Sequence, residues 1–314
     1  MTDLQEHVPL AHWCTLDVGG PARWFVRATS ERAIVEALDW AAAHKVAVLV
    51  LGGGSNVVIA DEGFPGLVLQ IAITGIDAKE EGSTTFFDVG SGEPWDAFVA
   101  RTVDAGCAGL ECLSGIPGLV GGTPVQNVGA YGQEVSSTIR SVRVIDIASR
   151  RQITIDPQEC GFGYRTSRFK HDDAGRFIVT AVEYGLAQNG APTIAYADVL
   201  TYFADRGESH ASLNEVRAAI IEIRSRKGMV IREDCDQRFI NYIFLADDYF
   251  TDFISRIRHY LFEPVQALYH LCSLFPYAVQ RIVSGRQISL PRGFFIFSIH
   301  NRFHLFLFLS RNIF

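Results

Sequence analysis

The chain has 314 residues, and its 28 lysine and arginine residues stand against 35 aspartate and glutamate residues, for a formal net charge of -7. This length favours two or three domains over one compact core, so a ligand cleft between domains is possible. The acidic balance argues against a nucleic-acid-binding protein, because neutralising phosphates needs a broad basic surface. Six scattered cysteines without a C-x-x-C pair indicate reduced thiols, and we expect no metal site.

Membrane and secretion signals are also weak. Residues 1–9 contain Asp3 and Glu6 where a secretory signal would be basic and then apolar. The apolar stretch 293–314 is interrupted by polar residues such as His300 and Arg302, and falls short of the roughly 20 apolar residues of a spanning helix. We therefore predict a cytoplasmic protein without a membrane segment. Peripheral attachment through this Phe-rich tail is an alternative that liposome flotation would test.

The first third of the chain alternates helix and strand patterns. Residues 30–44 begin with a capping serine and repeat apolar residues at helical spacing, and residues 94–105 read as a second helix with a proline near its first turn. Residues 46–51 form an apolar run that stops at three glycines, which is typical of a buried strand. Residues 67–71 and 85–89 are predicted to be further strands.

The middle of the chain continues this mixed pattern. Strands are predicted at 142–147, 152–155 and 177–184. The sequence AQNGAP at 187–192 suggests a domain boundary. Ser212 and Glu215 have the spacing of a capping box, and they predict a helix that ends near Gly228.

The composition changes sharply near Arg238. Thirteen of the 22 phenylalanines, but only two of the 28 glycines, lie between residues 239 and 314, and no carboxylate follows Glu263. Such a change can mark a distinct domain. It is equally what a shifted reading frame or a replaced C-terminus would produce.

Two glycine-rich segments are the strongest functional signals. The first glycine segment, residues 51–56, reads LGGGSN directly after a predicted strand, so its amides can converge on a diphosphate. It matches neither a P-loop nor a dinucleotide fingerprint, and alone it is as readily a plain turn. The second glycine segment, residues 113–132, holds six glycines, whose ordering costs about 0.5–1 kcal/mol each relative to alanine. Glycine lets the main chain approach a large planar ligand closely, and such a ligand would explain this composition.

Five ordered motifs carry a family resemblance. They are TLDVGGPA (15–22), LGGGSN (51–56), GLECLSGIPG (109–118), PVQNVGAYGQE (124–134) and CGFGYRTSRFK (160–170). In order and spacing they are similar to the UDP-N-acetylenolpyruvoylglucosamine reductase family over about residues 8–231. Leu119 departs from the small residue usual there, and we expect it to crowd the flavin-side loop.

The resemblance implies an α+β fold, with a FAD-binding domain of the vanillyl-alcohol-oxidase (PCMH) type at 15–187. Its subdomains would cover about 15–75 and 76–187. A C-terminal α+β substrate domain would follow at 193–314, family-like only to about 231 and thereafter incomplete or aberrant.

The resemblance further implies a monomeric enzyme in which NADPH reduces FAD, and the flavin then passes hydride to the enolpyruvyl ether of a UDP-sugar, giving UDP-N-acetylmuramate for peptidoglycan. Residues expected to contact FAD are Gly52, Gly53, Gly54, Ser55, Asn56, Val57, Ser114, Gly115, Ile116, Pro117, Gly118, Gly121, Gly122, Asn127, Gly129 and Ala130.

Five residues match the family's substrate side. Arg165 matches the active-site arginine, and its planar guanidinium suits a carboxylate that gains charge during reduction. Tyr131 and Tyr164 match substrate-side tyrosines. Tyr196 and Lys227 match a tyrosine and lysine that hold the nucleotide diphosphate.

The family's proton donor has no counterpart in this sequence. Members carry a serine in a Gly-Ser-Phe-Phe-Lys-Asn-Pro string, but residues 238–246 here read RFINYIFLA, and the family's C-terminal glutamate is also missing. Losing a general acid costs about 10²–10⁴-fold in rate. A catalytically impaired FAD-binding homologue is therefore one alternative, and an oxidase or dehydrogenase acting on an alcohol or sugar is another.

Overall fold

The computed structural model describes residues 4–207 and 211–230. Within these residues the helices are α1 (Glu31–His44), α2 (Trp95–Asp104), α3 (Ala197–Ala204) and α4 (Leu213–Arg226). The strands are β1 (Gln5–Pro9), β2 (Pro21–Ala28), β3 (Val48–Leu51), β4 (Phe64–Ile71), β5 (Ile76–Glu81), β6 (Thr84–Gly90), β7 (Cys107–Ala108), β8 (Gly129–Ala130), β9 (Gln133–Glu134), β10 (Ile139–Asp146), β11 (Gln152–Ile155) and β12 (Phe177–Gln188). The composition change near Arg238 and the Phe-rich tail lie outside the described residues.

The first sheet has the strand order β1-β2-β4-β3. Strands β2, β4 and β3 run parallel, whereas β1 pairs with β2 in the antiparallel sense. Parallel neighbours need a crossover connection, and α1 provides the one between β2 and β3. Buried Ile34 and Leu38 of α1 share a core with Leu67 and Leu69 of β4.

The sequence prediction of α1 is confirmed. The Ser30 hydroxyl accepts a hydrogen bond from the Ala33 amide at 3.2 Å, as expected of an N-cap. Lys45 takes a left-handed φ of 55° after the last turn, and the Val46 amide donates back to the Ala41 carbonyl at 2.9 Å. This closing turn uses residue 46, so β3 begins at Val48 rather than at the predicted residue 46.

The second sheet is antiparallel, with the order β11-β10-β12-β6-β5, and β7 adds to the end of β12. Strand β12 runs to Gln188, beyond its predicted end, because its last residues pair with β6 and β7. Helix α2 packs Trp95 and Phe98 against Tyr184 of β12, with ring centroids 5.9 and 5.2 Å away. The two sheets and their helices form an α+β fold, as predicted.

Helix α4 begins with the predicted capping box. The Ser212 hydroxyl accepts from the Glu215 amide at 3.3 Å, and the Glu215 carboxylate accepts from the Ser212 amide at 2.7 Å. Val216 and Ile220 of α4 then share a core with Tyr131 of the second glycine segment. The end of the described chain is thereby packed against the residues expected to bind substrate.

The predicted division at 187–192 stays a prediction. The first sheet uses residues 5–71 and the second uses residues 76–188. Within the part of the chain that the structure describes, no helix is both long and apolar enough to cross a membrane.

Candidate functional site

A cleft of about 580 Å³ lies between the two sheets. One wall consists of apolar side chains from α1 and β3, including Leu38, Val48 and Val50, and another includes Phe177 and Val179 of β12. The lining also contains one glycine of the first segment and two of the second, namely Gly52, Gly121 and Gly122. The fold thus brings the two glycine segments to one cleft.

The first glycine segment has room for a ligand on one side only. A Cβ atom added to Gly52 would meet nothing within 4 Å, whereas one added to Gly54 would lie 1.9 Å from the Trp13 carbonyl oxygen. Gly54 is therefore needed for contact with residues 13 and 14. Within the described chain, the amides of residues 53–56 donate no hydrogen bond to the protein, so they are available to an anion.

The second glycine segment also contains both glycines that face open space and glycines that contact the protein closely. A Cβ atom on Gly122 would meet nothing within 4 Å, but one on Gly121 would lie 2.6 Å from the Cβ atom of Ser91. Gly118, at a φ of 115°, packs against Ser55 and Gly53 of the first segment. The sequence interpretation assigned these glycines to a planar ligand. The structure gives a protein contact as the reason at Gly118 and Gly121, and leaves open space at Gly122.

This cleft fits a flavin dinucleotide. Its apolar walls suit flat aromatic rings, and the amides of residues 53–56, which follow the Gly52 that lines the cleft, are donors of the kind that a diphosphate needs. Leu119 lines the cleft, and its main chain pairs with that of Pro94 in an isolated antiparallel β-bridge. Its expected crowding of this loop stays a prediction.

Several other residues predicted to contact the cofactor hold protein groups instead. The Ser114 hydroxyl donates to the Glu111 carbonyl at 2.6 Å, and the Gly115 amide donates to Asp96 at 2.6 Å. Asn56 donates from its amide side chain to Gln126 at 3.2 Å, which links the two segments. No feature of the described chain tests their contact with FAD, which stays a prediction.

Asn127 connects the second glycine segment to the Arg165 turn. Its buried side-chain amide donates to the Gly163 carbonyl and to the Glu134 carboxylate, both at 2.9 Å, and its carbonyl accepts from the Ser136 amide at 3.1 Å. Both N–H donors and one of the two acceptor directions of the side chain are therefore used. Ser167 adds a second connection through its hydroxyl, which donates to the Val125 carbonyl at 2.5 Å.

Arg165 lies in a tight turn that these bonds hold in place. Gly163 and Thr166 exchange main-chain hydrogen bonds of 3.1 and 3.2 Å, so Tyr164 and Arg165 form the two-residue tip. Arg165 has a left-handed φ of 53°. Lys170 donates to the Arg165 carbonyl at 3.0 Å, while the Tyr164 side chain stands 75% exposed.

Tyr131, Tyr196 and Lys227 form one cluster, and their predicted contact with substrate stays a prediction. The rings of Tyr131 and Tyr196 meet edge to face at 5.4 Å, and the Lys227 ammonium lies 5.9 Å from the Tyr131 ring. Burial raises the pKa of the Tyr131 phenol, although the nearby cations Arg224 and Lys227 oppose that rise. Lys227 pairs with Asp198 of α3, and this hydrogen bond raises the pKa of its ammonium.

Arg224 is a site residue that the sequence prediction missed. Its side chain is 7% exposed, its Nε atom has no hydrogen-bond partner, and it forms no ion pair with a carboxylate of the described residues. Burial lowers the pKa of its guanidinium, whereas Tyr131 and the Asp96 carboxylate raise it, and Arg165 adds a smaller lowering. A buried cation beside a second arginine is a site for an anion.

Two carboxylates, the half-buried Asp96 and the buried Glu111, hold the second glycine segment and its neighbours in place. Asp96 of α2 receives both terminal nitrogens of Arg217 of α4, at 2.6 and 2.8 Å. Burial would raise the pKa of Asp96, but Arg217 and the Gly115 amide outweigh it and hold that pKa below its ordinary value. Glu111, fully buried, accepts from Gly109, Gln133 and Thr193 at 2.7, 2.8 and 2.9 Å. Neither residue was predicted as a site residue: Glu111 lies within the GLECLSGIPG motif but was given no role, and Asp96 lies outside the five motifs.

Comparison with protein families agrees with the geometry of the cleft. A family model described as "FAD binding domain" matches residues 22–155. These residues include the α1 crossover between β2 and β3 and both glycine segments.

Comparison with named proteins extends over more of the chain. A UDP-N-acetylenolpyruvoylglucosamine reductase of Thermobifida fusca is 41% identical over 83% of this chain and 74% of its own length. One of Nocardia farcinica is 46% identical over 73% of this chain, but that match spans only 58% of the relative. The crystal structure of UDP-N-acetylenolpyruvylglucosamine reductase from Thermus caldophilus superposes with a TM-score of 0.53 at 28% identity. That superposition covers 73% of this chain and 72% of the other.

Proposed function

Because this chain belongs to the UDP-N-acetylenolpyruvoylglucosamine reductase family, we propose that it is an NADPH-dependent, FAD-containing oxidoreductase. It reduces UDP-N-acetylenolpyruvoylglucosamine to UDP-N-acetylmuramate for peptidoglycan synthesis. The observation that carries this proposal is the cleft between the sheets, with four available amides in the first glycine segment and open space at Gly52 and Gly122. Bound FAD supplies the hydride that no side chain can provide.

The two arginines are the proposed partners of the substrate carboxylate. Hydride addition to the enolpyruvyl double bond moves negative charge onto the carbon beside that carboxylate. A fixed guanidinium stabilises such charge most where water is excluded. Arg224 is buried, and the main chain of Arg165 is held in a turn by Asn127 and Lys170, so the backbone that carries each cation is positioned before substrate binds.

The cluster of Tyr131, Tyr196 and Lys227 is the proposed site for the UDP group. Tyr196 is 47% exposed and meets Tyr131 edge to face, which leaves its ring accessible to a nucleotide. A Lys227 ammonium is a mobile point charge suited to a diphosphate, but Asp198 holds it in this structure. Substrate binding therefore requires Lys227 to exchange Asp198 for phosphate oxygens, or to engage both.

A second candidate function is FAD binding without turnover. The stretch 238–246, where the family has its serine proton donor, contains no serine and lies outside the described residues. The predicted cytoplasmic location and monomeric state stay predictions.

Anaerobic spectroscopy of the purified full chain tests both candidates. After incubation with FAD and desalting, we expect stoichiometric yellow flavin. NADPH should bleach it, and UDP-N-acetylenolpyruvoylglucosamine should restore the colour. Bleaching without recovery would select the non-catalytic homologue. Bleaching by an alcohol or sugar, with peroxide formed in air, would select the oxidase alternative, and a colourless protein would refute flavin binding.

A further inference from the structure

Ser91 is a buried serine whose main chain is fixed on two sides. It follows Gly90 at the end of β6. Its amide donates to the Thr180 carbonyl of β12 at 3.0 Å, and its carbonyl accepts from the Gly121 amide at 2.9 Å. The residue therefore joins the second sheet to the second glycine segment.

The hydroxyl of Ser91 has no partner in the described chain. The residue is 2% exposed, and its Oγ atom makes no hydrogen bond. Buried hydroxyls almost always find a partner, because leaving one unmade forfeits the hydrogen bonds that water would provide. Such an orphan points to a group that binds there.

The surroundings of Ser91 indicate what that group is. Ser91 lines the cleft together with Gly121 and Gly122. Any side chain at position 121 would strike the Cβ atom of Ser91, so Gly121 makes room for it, while Gly122 leaves open space. Of the orphaned polar groups in the described chain, the others belong to Gln70, Thr85 and Arg224, and none of these lines the cleft.

We infer that the Ser91 hydroxyl is a hydrogen-bonding contact of the FAD bound in this cleft, an inference that rests on the proposed function. A serine hydroxyl both donates and accepts, so it can serve a ring nitrogen, a ring carbonyl or a ribityl hydroxyl. FAD and FMN share the isoalloxazine and ribityl groups, whereas ADP carries neither. Removing the hydroxyl by Ser91→Ala should therefore lower the affinity for FAD and FMN, and leave the affinity for ADP unchanged.

Equilibrium titration of the apoprotein with FAD, followed by flavin fluorescence, tests the inference in the full chain. Ser91→Ala should raise the dissociation constant for FAD by about 3- to 10-fold, the loss expected for one neutral hydrogen bond. Thr85→Val is the matched control, because Thr85 is likewise buried and orphaned, but lies outside the cleft. It should bind FAD as the parent does.

The outcomes separate the two claims. A parent protein that takes up no FAD overturns the proposed function, and this inference with it. A parent that binds FAD, with Ser91→Ala binding it equally well, overturns the role of Ser91 alone. Equal loss in both variants would also overturn it, since a general packing defect would then be the cause. Thermal unfolding of the two apoproteins checks that each variant is folded.

Discussion

Replacing Asn127 by aspartate should release the Arg165 turn. The substitution keeps the shape of the side chain but removes both N–H donors, which now bind Gly163 and Glu134 at 2.9 Å. In their place a carboxylate oxygen faces a carbonyl and a second carboxylate. Asn127 is 1% exposed, so water cannot separate these oxygens.

The expected destabilisation is about 3–5 kcal/mol at neutral pH. Two lost hydrogen bonds contribute about 1 kcal/mol each, and an unpaired charge at a buried position adds at least as much. At roughly 2–4 °C per kcal/mol, the melting temperature should fall by about 6–20 °C. Burial and the neighbouring Glu134 raise the folded-state pKa of the introduced carboxyl. The penalty from its charge is therefore complete above that pKa, and disappears as the pH falls below the unfolded value of about 3.9.

Thermal unfolding of the apoprotein at several pH values measures this effect. Asn56→Asp is the matched control, since it makes the same change in the first glycine segment, where an exposed Asn56 has a single 3.2 Å bond to Gln126. It should cost less than about 1 kcal/mol. Equal melting temperatures for the two variants would show that Asn127 does not anchor the Arg165 turn.

Five further substitutions test separate parts of the region. Glu111→Ala should lower the free energy of unfolding by roughly 3–6 kcal/mol in urea titrations, because three buried donors lose their acceptor. Asp96→Asn should cost about 1 kcal/mol at neutral pH, because solvent screens a carboxylate that is 40% exposed, and nothing below the folded pKa of Asp96, since stabilisation by a depressed carboxyl pKa is lost as the pH falls through that value. Arg224→Met should keep the protein folded, yet weaken UDP-sugar binding at least about tenfold in calorimetry. Gly122→Ala should leave apoprotein stability unchanged and weaken FAD binding, whereas Gly54→Ala should unfold the protein, because its Cβ atom would lie 1.9 Å from a carbonyl oxygen.

Local signals were enough to predict α1 and α4. Each helix begins at a serine whose hydroxyl caps it, and each repeats apolar residues at helical spacing. Helix α3 was missed because Tyr196, at its N-cap, makes no side-chain cap. Val199 and Phe203 do repeat at helical spacing where they pack against α4, but the helix has only eight residues, which is too short a repeat to be recognised in the sequence.

Strand β5 shows the same limit in a sheet. Its sequence, IDAKEE, is exposed after the first residue and lacks the apolar alternation of a strand. Pairing with β6 along its whole length holds it at the edge of the sheet. Charged residues at such an edge discourage further pairing, which explains a composition that propensity alone would assign to a loop.

Some residues of the candidate site could be predicted from sequence motifs, and others are recognised only in the tertiary structure. Motif resemblance was enough to single out the glycine segments, Arg165 and Tyr131, because each lies within a contiguous string, whereas Tyr196 and Lys227 lie outside the five motifs. Arg224 reads in the sequence as an ordinary basic residue in the last turn of a helix. Only the packing of α4 against Tyr131 buries it, so its role follows from tertiary structure. Ser91 has no motif at all.

The two glycine segments owe their composition to two separate requirements. Gly53 and Gly118 allow loops from the two sheets to touch, since a Cβ atom on Gly53 would lie 3.1 Å from the Gly118 Cα atom. Gly52 and Gly122 leave the cleft open. Leu119 takes part in both, because it lines the cleft and its Cγ atom would also lie 3.1 Å from a Gly53 Cβ atom. Close-packed contacts transmit displacement to their neighbours. The width of the cleft is therefore coupled to the contact between the two loops. A larger residue at position 119 therefore acts on the cofactor site through its spacing from the first segment as well as through its own bulk.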